Sequence, residues 1–256
     1  MLMTPWTAEL IGTALLVLFG NGVVANVLLP KTKGNNAGWI VIAAGWGLAV
    51  YIGAFCSEKY SGAHLNPAVS VAMLVVGKLT FAQTLSYILA QCIGALIGAT
   101  LVYLFYLEHF KIADDRDAKL ACFCTGANIK NHRQSFVCEL IGTYALILPI
   151  LLMISPSVDL SSVTAASAAD SQAKIGMGSL GLLPVALLVF GIGLSLGGTT
   201  GYAINPARDL IPRLAHEILP IPGKGSGQWD YAWVPVAGPI AGAVLAAMTY
   251  KLLLGG

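Results

Sequence analysis

Residues 61–69 read Ser-Gly-Ala-His-Leu-Asn-Pro-Ala-Val, and residues 201–209 read Gly-Tyr-Ala-Ile-Asn-Pro-Ala-Arg-Asp. An Asn directly before a Pro is a helix start. The Asn side chain can accept from an early backbone N–H, and the Pro gives up only an N–H that has no helical partner there. The runs that begin at these motifs, 66–77 and 205–216, are 12 residues each. A membrane span needs about 20 mostly apolar residues, so runs of this length are read as re-entrant half-helices.

Six longer apolar runs surround them, at roughly 8–29, 38–56, 84–107, 135–154, 179–198 and 232–254. They are continuous rather than alternating, which favours helices over the strands of a membrane barrel. The N-terminal run lacks a basic segment before it and opens with Glu9, so it reads as a retained span rather than a cleaved leader. The chain as a whole is 57% hydrophobic and 10% charged over 256 residues, with a mean hydropathy of +0.78. A soluble domain carries roughly a quarter charged residues, so this chain cannot clothe a water-facing surface. Disorder is excluded by the same numbers. A net charge of +2 argues against a nucleic-acid partner.

The chain repeats itself. Glu9-Leu10-Ile11-Gly12-Thr13 returns as Glu139-Leu140-Ile141-Gly142-Thr143, an offset of 130. Asn66-Pro67-Ala68 returns as Asn205-Pro206-Ala207, an offset of 139, and Gly94 and Gly98 return as Gly238 and Gly242, an offset of 144. The order is kept and the offset drifts slowly, as after duplication with small insertions. We read one channel domain over 1–256, with a first repeat at 1–107, an inter-repeat loop at 108–134 and a second repeat at 135–256. Each half holds three spans and one half-helix. Three is odd, so the second half is inverted, and inverted repeats with broken helices at matching places point to a transport path near the midplane.

At that midplane two helix N-termini meet. Each carries about half a positive charge and free N–H groups. The segments just before them, 61–65 and 200–204, can turn carbonyls towards a wet cavity. Asn66 and Asn205 add amide donors, and Arg208 adds a fixed positive charge. A row of donors and acceptors of this kind suits a neutral hydroxylic molecule and repels cations. For one Asn-Pro the plainer reading is a capped helix end with no role in permeation; two in inverted halves weigh against it. Glu9 and Glu139 are ionisable groups inside spans, a costly placement. We favour carboxylates that hold the broken backbone of their own half over a proton-coupling pair, because they are symmetric copies and no second ionisable group recurs with them. The Gly pairs at four-residue spacing are a packing signal for close helices.

These residues resemble the major intrinsic protein family, in particular its glycerol facilitator (aquaglyceroporin) branch in prokaryote-like form. The resemblance covers nearly the whole chain and rests on 61–69, 201–209 and the duplicated Glu-Leu-Ile-Gly-Thr. It implies an all-α membrane protein of six transmembrane helices and two re-entrant half-helices in an inverted 3+3 repeat. It also implies a homotetramer with one pore per subunit in the plasma membrane, and passive conduction of water or small uncharged solutes. Asn66, Pro67, Ala68, Asn205, Pro206 and Ala207 are the implied pore centre. Trp46, Gly193, Tyr202 and Arg208 are the implied selectivity filter. Glu9, Glu139, His64 and Asp209 are the implied loop supports. The water-selective branch generally has His at the Gly193 position, so Gly193 is expected to leave the ring open for a carbon backbone. Asp209 after the Arg also resembles the glycerol branch. Tyr202 departs from that branch, which more often has Phe there. Its added hydroxyl is expected to take space and to shift the ranking of solutes among water, urea, undissociated small hydroxy acids and glycerol.

The family topology implies both termini in the cytoplasm. That places 4 Lys/Arg inside and 10 outside, against the positive-inside rule. Cys122, Cys124, His132 and Cys138 lack the spacing of a zinc site. An odd number of Cys, five, gives no disulfide framework. Residues 156–174, rich in Ser and Ala, read as a flexible connector with room for a short helix. No phosphate loop, nucleophile elbow or His-Glu-x-x-His is present, so neither an enzyme nor a cofactor is expected. The leading reading is a passive channel for glycerol and similar solutes. A water-selective channel, an ion-coupled secondary transporter and a junction protein with a vestigial pore are the alternatives.

Overall fold

The computed structural model describes residues 3–154, 157–159 and 174–254. Among the described residues, six helical stretches are long and apolar enough to cross a bilayer, and the chain is an integral membrane protein. The first half comprises α1 (Pro5–Leu28), α2 (Trp39–Ser61), the short α3 (Pro67–Val75) and α4 (Phe81–Phe105). The small helices α5 (Leu107–Ile112) and α6 (Arg116–Ala121) follow. The second half comprises α7 (His132–Leu152), a 3-10 turn (Gly178–Leu182) continuing into α8 (Leu183–Leu196), the short α9 (Pro206–Ile218) and α10 (Val234–Leu254). Helix α2 runs five residues beyond the expected stop at 56, through the polar Ser57-Glu58-Lys59-Tyr60-Ser61, and ends on the left-handed Gly62 (φ 80°). Most of the expected connector at 156–174 lies outside the described residues. At its ends, Ser157–Asp159 (β1) pairs antiparallel with Lys174–Gly176 (β2).

Local signals set the helix ends. Thr4 and Thr80 start α1 and α4 with capping boxes, each closed by a side chain three residues on, Thr7 or Gln83. Asn66 and Asn205 cap α3 and α9, and the following Pro occupies the first turn of each.

The halves are built alike and interlock. Helix α1 packs on α4, and α7 packs on α10. The half-helices cross over: α3 of the first half lies on α10 of the second, and α9 lies on α4. Glycines permit the close approach in each pair. A Cβ on Gly94 would lie 2.3 Å from Leu10 O, and one on Gly242 would lie 2.3 Å from Leu140 O. Leu10 and Leu140 are repeat equivalents, so in space Gly94 matches Gly242. The offset of 144 pairs Gly94 with Gly238; the two glycine ladders are out of step by one helical turn. Gly238 instead seats the Cβ of Glu139, 2.7 Å from where its own Cβ would be. The architecture is aquaporin-like, with the half-helix tips brought to one point inside the bundle.

Candidate permeation site

A cavity of about 150 Å³ of water-accessible space lies inside the bundle. Gly62, His64 and Met73 line one stretch, Asn66 and Asn205 the middle, and Trp46, Tyr202 and Arg208 the other end.

The loops that reach the middle share an unusual backbone. Ala63 (φ 51°) and Leu65 (φ 50°) are left-handed in the first, and Tyr202 (φ 39°) and Ile204 (φ 43°) in the second. Such angles cost a non-glycine residue about 1–2 kcal/mol. Two buried carboxylates hold them. Glu9 accepts from the N–H groups of His64 (2.9 Å) and Leu65 (2.7 Å). Glu139 accepts from those of Ala203 (2.9 Å) and Ile204 (2.9 Å). With successive N–H groups drawn to a carboxylate, the carbonyls of the same peptides turn the other way, towards the cavity. Each carboxylate therefore grips the broken backbone of its own half, the reading favoured from sequence.

The two sites are not identical. Glu9 also accepts from Ser61 Oγ (2.6 Å) and Gln91 Nε2 (2.8 Å). Glu139 also accepts from Thr200 Oγ1 (2.7 Å) and has no glutamine beside it, since the match of Gly94 to Gly242 puts Pro239 at the place of Gln91. His64 pairs its Nδ1 with Ser70 Oγ (3.1 Å) and sets its ring edge-on to Tyr87.

At the centre, Asn66 Oδ1 accepts from Ala68 N (2.8 Å). Asn205 Oδ1 accepts from Ala207 N (3.1 Å) and Arg208 N (3.2 Å). Each amide then donates across the interface between halves, Asn66 to Ile204 O and Asn205 to Leu65 O. An amide has two N–H bonds; one locks the centre, leaving the other for the lumen. Pro67, Ala68, Pro206 and Ala207 are buried behind the asparagines.

The four residues expected at the narrow ring come together. The Arg208 guanidinium lies 4.0 Å from the Trp46 ring centroid, in cation–π geometry. Gly193 does not leave open space. A Cβ built there would lie 2.9 Å from Cζ and Oη of Tyr202, so the Tyr202 phenol fills the gap that glycine provides. The extra hydroxyl thus lodges in the wall. Arg208 Nη1 and Tyr202 Oη have no hydrogen-bond partner among the described residues.

Asp209 was expected as a loop support; its partners and several other supports were not singled out in the sequence. Asp209 accepts from Thr125 N (2.7 Å) and Thr125 Oγ1 (2.6 Å), and pairs with the fully buried Arg213 at 2.8 Å. Arg213 also donates to the carbonyls of Thr125 (2.7 Å) and Gly227 (2.6 Å). The spacing of Asp209 and Arg213, one helical turn, is the signal that could have found this pair. Asn21 in α1 donates to Phe123 O (3.1 Å). Lys119 donates to Pro222 O, and Lys224 to the terminal carbonyls of α9 at His216, Glu217 and Leu219. Lys119, Arg208 and Arg213 are buried and Lys224 is engaged, so four of the ten cations on the crowded side act inside the fold rather than as loop charges.

The Major intrinsic protein family matches residues 2–250. The chain is 48% identical over 251 residues to the probable glycerol uptake facilitator protein of Thermotoga maritima, covering 98% of this chain and 100% of that one. It is 48% identical, at the same coverage, to the glycerol uptake facilitator protein of Streptococcus pneumoniae strain R6. Among solved structures it resembles the aquaglyceroporin from Plasmodium falciparum, with a TM-score of 0.77 and 31% identity over 97% of this chain and 95% of that one. The chain belongs to the major intrinsic protein family.

Proposed function

We propose that this protein is a passive channel for glycerol and other small uncharged solutes, with water as co-permeant and with ions and protons excluded. One observation carries the reading: a single cavity joins the crossed Asn66/Asn205 amides to a wall made of Trp46, Tyr202 and Arg208. That wall is apolar on the aromatic side and donates hydrogen bonds on the arginine side, as a polyol requires. The positive helix ends and Arg208 repel cations. Glycerol is favoured by relatives that bear its name at 48% identity. Urea and undissociated small hydroxy acids are further candidates, because each combines small size with acceptors for Arg208.

The protein catalyses no reaction in this reading. It acts as a homotetramer with one pore per subunit, in the plasma membrane, with both termini in the cytoplasm. Asn66, Pro67, Ala68, Asn205, Pro206 and Ala207 form the pore centre; Trp46, Gly193, Tyr202 and Arg208 form the filter; Glu9, Glu139, His64 and Asp209 hold the loops.

Stopped-flow light scattering on proteoliposomes tests it. Glycerol flux well above empty vesicles and unchanged by an uncoupler is expected. Water flux without glycerol flux overturns the solute assignment. Accumulation against a gradient overturns the channel.

A further inference from the structure

Tyr202 sits in a seat with three walls. Gly193 and Gly197 form two of them: a Cβ on Gly193 would lie 2.9 Å from Tyr202 Oη, and one on Gly197 would lie 2.5 Å from Tyr202 Cδ1. The third wall is Trp39, the first residue of α2. Its ring meets Tyr202 edge-on, with centroids 5.9 Å apart and planes at 78°. Its indole N–H donates to Gly193 O at 2.8 Å. It also closes on the second glycine, since a Cβ on Gly197 would lie 2.7 Å from Trp39 Cζ2. Trp39 thus touches all three components, yet it is absent from the cavity wall and 40% of its surface is exposed.

We infer that Trp39 is a positioning residue for solute selection: it keeps the Tyr202 phenol parked against Gly193, out of the lumen. Tyr202 lines the cavity and its hydroxyl makes no hydrogen bond among the described residues. No polar contact of its own fixes the ring. Its backbone, at φ 39°, sets where the side chain starts but not its rotamer. Packing against Trp39 and the two glycines therefore selects the rotamer. A Tyr202 ring released from the seat swings into the lumen beside Trp46 and Arg208. It then occupies the width that a carbon backbone needs while leaving a path for water. The inference rests on the filter reading above and assigns to it a residue outside the pore lining.

The test uses proteoliposomes of the full chain and the ratio of glycerol to water permeability, measured in the same vesicles. A ratio cancels differences in the amount of active protein, which a merely destabilised variant would change. Trp39→Leu removes both the ring and the donor and is expected to lower the ratio roughly tenfold, in the range that pocket-shape changes produce. Trp39→Phe keeps a ring edge but loses the N–H; a smaller fall is expected, and it serves as the informative variant should Trp39→Leu fail to insert. In a Tyr202→Ala background, where no ring remains to swing, adding Trp39→Leu is expected to leave the ratio unchanged. An unchanged ratio in the single Trp39 variants overturns the inference, as does an equal fall in the Tyr202→Ala background. Absence of glycerol flux in the unaltered protein overturns the proposed function instead.

Discussion

Asn66 and Asn205 each donate an amide proton to the backbone carbonyl immediately before the other, Leu65 O or Ile204 O, at the same distance of 2.8 Å. The exchange is reciprocal and joins the halves at their most irregular backbone. Asn205→Ala deprives two α9 N–H groups of their cap and Leu65 O of its donor. A loss of about 2–4 kcal/mol is expected from a missing cap plus a buried unpaired carbonyl. A lower midpoint of thermal unfolding in detergent than for Asn66→Ala, which uncaps one N–H, checks the direction.

Glu9 and Glu139 make unequal sets of contacts, and substitution should expose the difference. Glu9→Gln turns an acceptor oxygen into a donor that faces either the Leu65 N–H and the Gln91 amide or the His64 N–H and the Ser61 hydroxyl. The expected cost is about 2–5 kcal/mol, typical of breaking a buried charged network. Gln91→Leu removes one donor and leaves three protein atoms on Glu9; it is expected to cost about 1–2 kcal/mol. A Gln91→Leu protein as unstable as Glu9→Gln would contradict this ranking.

The Asp209–Arg213 pair ties the loop at Thr125 to α9. Arg213→Met strands a fully buried carboxylate and frees the Thr125 and Gly227 carbonyls. A loss of about 3–5 kcal/mol is expected. Faster proteolysis of the 113–131 loop, with glycerol flux reduced, is the readout. Arg213→Lys is expected to rescue only partly, because a single ammonium cannot reproduce the forked contacts.

Burial pushes the Cys122 and Cys124 thiols well above their ordinary range. A thiol with a raised pKa holds its proton and is a poor nucleophile at neutral pH. An impermeant maleimide at pH about 8 is therefore expected to leave both unmodified in the folded protein, with labelling after denaturation. Mass spectrometry of tryptic fragments reads the outcome; rapid native labelling at either position would show that this loop opens.

The architecture was legible in the sequence because its signals are periodic and duplicated. Spans follow from apolar length, half-helices from Asn-Pro, and inversion from an odd number of spans per repeat. The carboxylate sites followed from the cost of placing Glu9 and Glu139 in lipid. What escaped lies in contacts between distant segments without internal symmetry. The Tyr202 hydroxyl was expected to crowd the ring, and Gly193 to open it. In the fold one fills the other, a relation between residues nine apart that neither residue type announces. Trp39 and Asn21 act through partners 154 and 102 residues away, and no local pattern marks them. The Lys/Arg count mixed two kinds of cation for a related reason: one bound to buried carbonyls, such as Lys119, looks in sequence like one in a loop.

Synthesis runs from the N-terminus, so Asn66 enters the membrane 138 residues ahead of the carbonyl it will bind. Until then its amide and the Leu65 carbonyl lack these cross-half partners, and the loop rests on Glu9 and Ser61 of its own half. The first half must wait, wet and incompletely packed, while the second is made. Closure of the centre therefore cannot precede synthesis of the second repeat's loop. A chain truncated before Ile204 is left with an open, hydrated cleft, a natural substrate for membrane quality control.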